Sequence, residues 1–103
     1  MEKYDIEART ADMLRTVFDP EIPVNVLDLG LIYKVEVTDD FIVNIDMTLT
    51  APSCPAAEFI IEDIRQKVKS IEGVKEVNVE LVFEPEWTQD MISEEAKLDL
   101  GLL

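Results

Sequence analysis

The sequence predicts a two-layer α/β sandwich, an α+β fold in which helices cover one face of a small mixed three-stranded sheet. Two segments carry apolar residues at helical spacing, a third begins with a helix-capping pattern, and three others alternate apolar and polar residues, in the order α-β-β-α-β-α. Because the alternation gives each strand one polar face, we expect helices on the other face only. A chain of 103 residues suffices for one core but not two, so a single domain over 1–103 is expected.

The first helix is predicted from about Lys3 to Phe18, where apolar residues recur at helical spacing. It should end at Asp19-Pro20, because the residue before a proline disfavours the helical region. The loop that follows runs to Gly30. Its two prolines argue against regular structure, and its apolar residues indicate that it packs on the core. We interpret Asp28 as a loop-bracing residue, since a carboxylate among apolar side chains needs amides or a hydroxyl as partners.

Two strands follow, joined by a turn at Asp39-Asp40. The first strand covers residues 33–38, and the second alternates from Phe41 to Thr50. On this pattern, Thr48 and Thr50 project from the polar side of the second strand, where threonine is usually a solvated strand former.

A second helix is predicted from about Pro55 to Ile71, and a third strand from Val74 to Phe83. Ser93 then has the character of a helix cap for a short closing helix that ends at Gly101. Since the second and third strands flank a helix, we expect them to be parallel neighbours joined by a right-handed crossover.

Composition narrows the classes of function. The formal net charge is −14, from 23 acids and 9 bases, and such an acidic chain repels phosphate backbones, which argues against nucleic acid as a partner. No apolar run reaches the roughly 20 residues of a membrane span, and the N-terminus has no apolar signal region. A single cysteine fits a reducing compartment, so we expect a cytoplasmic protein without a membrane partner.

The one cysteine, Cys54, lies where the second strand gives way to the second helix. A thiol at the positive end of a helix has a lowered pKa and becomes a useful ligand or nucleophile. The alternative is a cysteine that serves as a small buried apolar residue. The pattern of residues leaves both interpretations open.

Several motifs, taken in order, resemble the SufT/PaaD-type family of metal–sulfur cluster biosynthetic proteins over essentially the whole chain. They are Asp19-Pro20-Glu21-Ile22-Pro23, Asp28-Leu29-Gly30-Leu31-Ile32-Tyr33, Thr48-Leu49-Thr50-Ala51-Pro52-Ser53-Cys54-Pro55, Val77-Asn78-Val79-Glu80-Leu81 and Pro85-Glu86-Trp87. The resemblance implies the α/β sandwich of the iron–sulfur assembly superfamily. It also implies a role in assembling iron–sulfur clusters or delivering them to apo-proteins.

The same resemblance assigns residues. The functional cysteine of the family maps onto Cys54, and its associated acidic and hydroxyl positions map onto Asp19, Glu21 and Thr50. Ser53, beside the cysteine, is added as a supporting residue. The single cysteine departs from the Cys-x-x-Cys pair of NifU-type scaffolds and from the cysteine-rich tail of PaaD proteins, so the chain is most similar to short stand-alone SufT-like members.

A cluster is typically held by four thiolates, and this monomer offers one, so no stably bound cofactor is expected. Three hypotheses remain. A homodimer could pair two copies of Cys54 with outside thiols. Cys54 could be a transient ligand while a scaffold or carrier protein hands a cluster to an apo-protein client. Alternatively, the chain could be a docking adaptor of an assembly or oxygenase-maturation system, without cluster chemistry. We favour the transient ligand.

An enzymatic function is the weaker alternative. It would make Cys54 a nucleophile with Asp19 or Glu21 as its base, because the chain contains no histidine. A carboxylate whose ordinary pKa is near 4 is poorly suited to deprotonating a thiol. We therefore predict that the protein is not an enzyme.

Overall fold

The computed structural model of the protein describes residues 2–20, 22–50 and 57–102. Among these residues, the order of elements is the predicted one, with one short 3₁₀ helix added. The elements are α1 (Lys3–Leu14), β1 (Ile32–Val37), β2 (Ile42–Met47), α2 (Ala57–Lys69), β3 (Glu76–Leu81), a 3₁₀ helix (Gln89–Met91) and α3 (Glu94–Asp99).

The sheet is mixed, with β2 in the centre and strand order β1-β2-β3. β1 runs antiparallel to β2 and pairs Val35 with Ile45, while β3 runs parallel to β2 and pairs Val79 with the same residue. The predicted parallel neighbours are therefore confirmed. Because β2 and β3 are parallel, their carboxyl ends lie at the same end of the sheet.

The core lies between the sheet and the helices. α1 packs against α2 and β1, and α2 packs against β3. The opposite face of the sheet is open and polar: Asn44 donates to Glu36 at 3.2 Å, and Asn78 donates to Asn44 at 3.0 Å. This arrangement confirms the sandwich with helices on one face. The fully buried large side chains are Ile6, Leu14, Val17, Val26, Leu29, Leu31, Val43, Ile45, Met47, Ile64 and Val68, together with Thr10.

α1 ends at Leu14, four residues before the predicted boundary. The Thr16 hydroxyl donates to the Met13 carbonyl at 2.6 Å, which closes the last turn. The chain then becomes extended, because the Val26 N–H donates to the Val17 carbonyl at 2.8 Å and Phe18 forms an isolated bridge with Asn25. Tertiary pairing thus competes successfully with helical spacing in residues 15–18.

Both later strands are also shorter than predicted. β2 begins at Ile42, because Phe41 has a φ of 62° and closes the turn by donating to the Thr38 carbonyl at 2.9 Å. β3 ends at Leu81, so Phe83, the last residue of the predicted strand, lies beyond it and is exposed. The predicted start of the second helix at Pro55 lies outside the described residues.

The apolar loop packs on the core as predicted, since Val24, Val26 and Leu29 are buried. The closing helix is also confirmed: the Ser93 hydroxyl accepts a hydrogen bond from the Ala96 N–H at 3.2 Å, and Gly101 follows with a φ of 76°. Within the described ranges, no helix has the length and apolar character required to cross a bilayer.

Candidate functional site

The candidate site is the end of the sheet where the parallel strands β2 and β3 terminate. Thr48 and Thr50 follow β2 there, and residues 82–87 follow β3. The chain then continues through residues 51–56 to Ala57, the first described residue of α2. Cys54 and Ser53 belong to that segment, and they lie outside the described residues, as does Glu21.

Thr48 is buried, with 1% of its surface exposed, which corrects its interpretation as a solvated residue. Its N–H donates to the Leu31 carbonyl at 2.8 Å, so the main chain beyond β2 stays attached to the residue that precedes β1. Strand alternation places Thr48 opposite the core-facing Met47, but Phe83 and Trp87, from the segment beyond β3, line the same concave surface as Thr48. The hydrogen bond to Leu31 therefore fixes the main chain after β2 as far as Thr48.

A concave surface that we call the Trp87 groove lies beside the exit of β2. Thr50, half-buried, lines it next to the segment that carries Cys54. The Trp87 indole is held in place because its Nε1–H donates to the Leu29 carbonyl at 2.7 Å. The groove has a volume of ≈ 230 Å³ and is lined by Thr48, Leu49, Thr50, Phe83, Glu86 and Trp87.

A second, larger groove of ≈ 380 Å³ lies beside the first turns of α2. We call it the Phe18–Phe59 groove, after the two exposed aromatic side chains in its wall. It is lined by Val17, Phe18, Pro20, Phe59, Ile60 and Asp63.

Asp19 is buried at the loop that follows α1. Its Oδ1 accepts a hydrogen bond from the Ile22 N–H at 3.1 Å, and its own N–H donates to the Val24 carbonyl at 3.3 Å. The carboxylate therefore holds the loop in shape. Its neighbour Pro20 lines the Phe18–Phe59 groove, which places this loop beside the first turns of α2.

Asp28 lies elsewhere in the same loop and lines neither of these two grooves. Its Oδ2 accepts a hydrogen bond from Asn25 Nδ2 at 2.8 Å, and its N–H donates to Asn25 Oδ1 at 2.9 Å. Its carbonyl accepts from the Ser93 N–H at 2.8 Å. Asp28 thus connects the loop to the start of α3.

The electrostatic environment of this end of the molecule is acidic. Residues 82–102, which supply one wall of the Trp87 groove, contain six acids and one base. Glu86 lies in the groove wall itself. Across the described ranges, no group of three or more histidine, cysteine, aspartate or glutamate residues is placed to hold a metal ion.

Sequence reasoning missed the aromatic residues around the site. In the sequence, Trp87 is part of a motif, Phe83 is the last residue of a predicted strand, and Phe59 belongs to no motif. The available signal was topological, because a residue that follows β3 must lie near one that follows β2 when the two strands are parallel.

Fold and site together define a small α+β protein with a groove at the end of the sheet where two parallel strands terminate. The sequence profile of the iron-sulfur cluster assembly protein family matches residues 7–81, and the chain belongs to this family. It is 68% identical over 91 residues to an Fe-S protein maturation auxiliary factor of Porphyromonas gingivalis, covering 88% of this chain and 87% of the relative.

Two further comparisons agree. The chain is 40% identical over 86 residues to the Fe-S protein maturation auxiliary factor SufT of Staphylococcus aureus, which covers 84% of this chain and 98% of the relative. The crystal structure of a domain of unknown function, DUF59, from Bacillus anthracis superposes with a TM-score of 0.91 at 31% identity, covering 98% of this chain and 96% of the other. The resemblance to SufT-like proteins is thereby confirmed.

Proposed function

We propose that this protein acts in iron–sulfur cluster maturation and that Cys54 is a single, transient cluster ligand during transfer. In this proposal the cluster is cargo that passes from a scaffold or carrier protein to an apo-protein client. Membership in the iron-sulfur cluster assembly protein family is the observation that carries the maturation role. The role of Cys54 is also supported by the fact that the sequence has no second cysteine.

Ligand count favours transfer over storage. Iron–sulfur clusters are typically held by four cysteine thiolates, and histidine, the usual substitute, is absent from this sequence. One thiolate can occupy one coordination position while the other positions stay with the donor or pass to the client. A protein with a single ligand therefore exchanges a cluster more readily than it retains one.

The described residues around the cysteine segment support this role. Thr50 lines the Trp87 groove immediately before the segment, and Phe59 lines the second groove two residues after Ala57. Concave surfaces formed by the described residues that precede and follow the segment in the sequence give a partner protein room to approach. Asp19, Glu21, Thr50 and Ser53 are proposed as supporting residues of the same site.

The test is complementation of a deletion strain with the Cys54→Ser variant, followed by assay of a client iron–sulfur enzyme such as aconitase. We expect the client activity to remain at the level of the deletion strain, while the control Ser70→Ala, an exposed change just beyond the far end of α2, restores it fully. Full restoration by Cys54→Ser would instead favour a docking adaptor without cluster chemistry.

A second experiment separates transfer from storage. The pure protein is reconstituted with iron and sulfide, with and without an added thiol, and the bound iron and sulfide are measured. We expect no stable stoichiometric cluster without the thiol, because one protein ligand leaves the other positions open. A stable cluster on the protein alone would contradict the transient-ligand proposal.

A further inference from the structure

Two phenylalanines meet at the Phe18–Phe59 groove without being needed for the core. Phe59 is 79% exposed and Phe18 is 57% exposed. α2 already buries a continuous stripe formed by Ile60, Ile64 and Val68. Single exposed apolar residues are ordinary, but two aromatic side chains from different elements that line one apolar concavity indicate an interaction surface.

The charges around this groove are unevenly compensated. Asp63, in its wall, pairs with Lys67 at 3.3 Å, and the Lys67 ammonium also donates to the Thr16 carbonyl at 2.9 Å. That lysine is therefore occupied. Glu58, directly before Phe59, is exposed and forms no ion pair within the described part of the chain. The free charge beside the aromatic pair is negative.

The net charge of the chain distinguishes between two kinds of occupant for the groove, a second copy of this chain and a basic partner. A second copy of this chain would bring a net charge of −14 against −14, and such like charges repel. A partner with basic residues around an apolar side chain is instead attracted by the same field. Such a partner would fill the groove and pair with Glu58.

We propose that the Phe18–Phe59 groove docks a segment of the cluster-exchanging partner that carries a large apolar side chain flanked by lysine or arginine. The inference rests on the proposed function, because docking here would bring that partner to the start of α2, three residues after Cys54 in the sequence. Aromatic contacts provide affinity, and the acidic surface increases the association rate.

The probe is a pair of short peptides, acetyl-Lys-Lys-Phe-Leu-Lys-Lys-amide and the same peptide with glutamate in place of lysine. Each is titrated into the isotope-labelled full chain and followed by amide chemical shifts. We expect the basic peptide to shift the amides of Val17, Phe59 and Ile60, with affinity that falls as salt rises. The acidic peptide should shift none of them.

Variants locate the binding. Phe59→Ala should weaken binding of the basic peptide by about tenfold or more, as expected for a central aromatic contact. Tyr4→Ala is the matched control, because Tyr4 is also an exposed aromatic residue, with 68% of its surface exposed. Tyr4 follows Lys3, and the ion pair of Lys3 with Asp39 places the start of α1 at the opposite end of the sheet. This variant should bind the peptide with unchanged affinity.

Three results would overturn the inference. They are equal binding of the acidic peptide, shifts that survive Phe59→Ala, and concentration-dependent self-association that Phe59→Ala abolishes in sedimentation. Peptide binding by Cys54→Ser separates this inference from the proposed function, since it should equal that of the unmodified chain. If Cys54→Ser supports client maturation while Phe59→Ala loses peptide binding, the docking groove stands and the cluster-ligand role fails.

Discussion

At the residue scale, Gly30 marks the closest approach between the apolar loop and the C-terminal segment. Its φ is 77°, and a Cβ built on it would collide with the main-chain carbonyl of Met91. The same segment is held by the Tyr33 hydroxyl, which donates to the Pro85 carbonyl at 2.7 Å. The absence of a side chain at residue 30 therefore lets two main chains meet beside the start of β1.

Gly30→Ala should destabilise the protein by about 3 kcal/mol, from left-handed strain together with displacement of the Met91 main chain. Gly101→Ala is the matched control, because Gly101 has a φ of 76° but no atom within 4 Å of its built Cβ. It should cost only about 1 kcal/mol, the conformational part alone. Urea unfolding of both variants measures the difference. Equal losses would show that the contact with Met91 has no energetic consequence.

At this scale, the surroundings of a residue can be predicted from the sequence when its contact partners are close to it in the chain. The hydrogen bonds of Asp28 to Asn25 lie three residues apart, and residue type alone indicates such bonds. The burial of Thr48 depends on segments distant in sequence, and alternation carries no information about them. The roles of Cys54, Ser53 and Glu21 stay predictions, because these residues lie outside the described ranges.

At the element scale, one ion pair connects α1 to the turn between β1 and β2. The Lys3 ammonium lies 2.7 Å from Asp39 Oδ1, and both side chains are largely exposed. The hydrogen bond from Lys3 and its charge hold the pKa of Asp39 below its ordinary value of 3.8. The same contact raises the pKa of Lys3 above 10.5.

These directions predict a pH dependence. The lowered pKa of Asp39 contributes stability above pH 3.8 that is lost as pH falls through its folded-state pKa. The raised pKa of Lys3 contributes stability below pH 10.5 that is lost as pH rises through its folded-state pKa. In Lys3→Met, a carboxyl-carbon NMR titration should therefore return the pKa of Asp39 toward 3.8. An unchanged pKa would show that the ion pair does not persist in solution.

Element types were predictable because local patterns specify them, whereas element ends were not. The alternation in β2 identifies the strand, but its first residue depends on the left-handed Phe41 of the preceding turn. The end of α1 depends on the main-chain hydrogen bond between Val26 and Val17, and no local pattern in residues 15–18 indicates that bond.

At the scale of the whole molecule, the dominant feature is an excess of negative charge. The sequence has 23 acids and 9 bases, and the ion pairs found within the described ranges are all on the surface. Exposed ion pairs contribute little to stability, because water and salt screen their attraction. Repulsion among the remaining carboxylates therefore outweighs them and opposes the compact state.

This balance predicts that sodium chloride stabilises the protein. Between 10 and 150 mM salt, the Debye length falls from about 30 to about 8 Å, which screens long-range repulsion more than contact pairs. The urea midpoint at pH 7 should rise over this range. In the triple variant Glu72→Gln, Glu80→Gln, Glu84→Gln, the net charge changes from −14 to −11 because three negative charges are removed. Its midpoint should be higher at low salt and should rise less, whereas a midpoint that falls with salt would mean that attractive pairs dominate the surface.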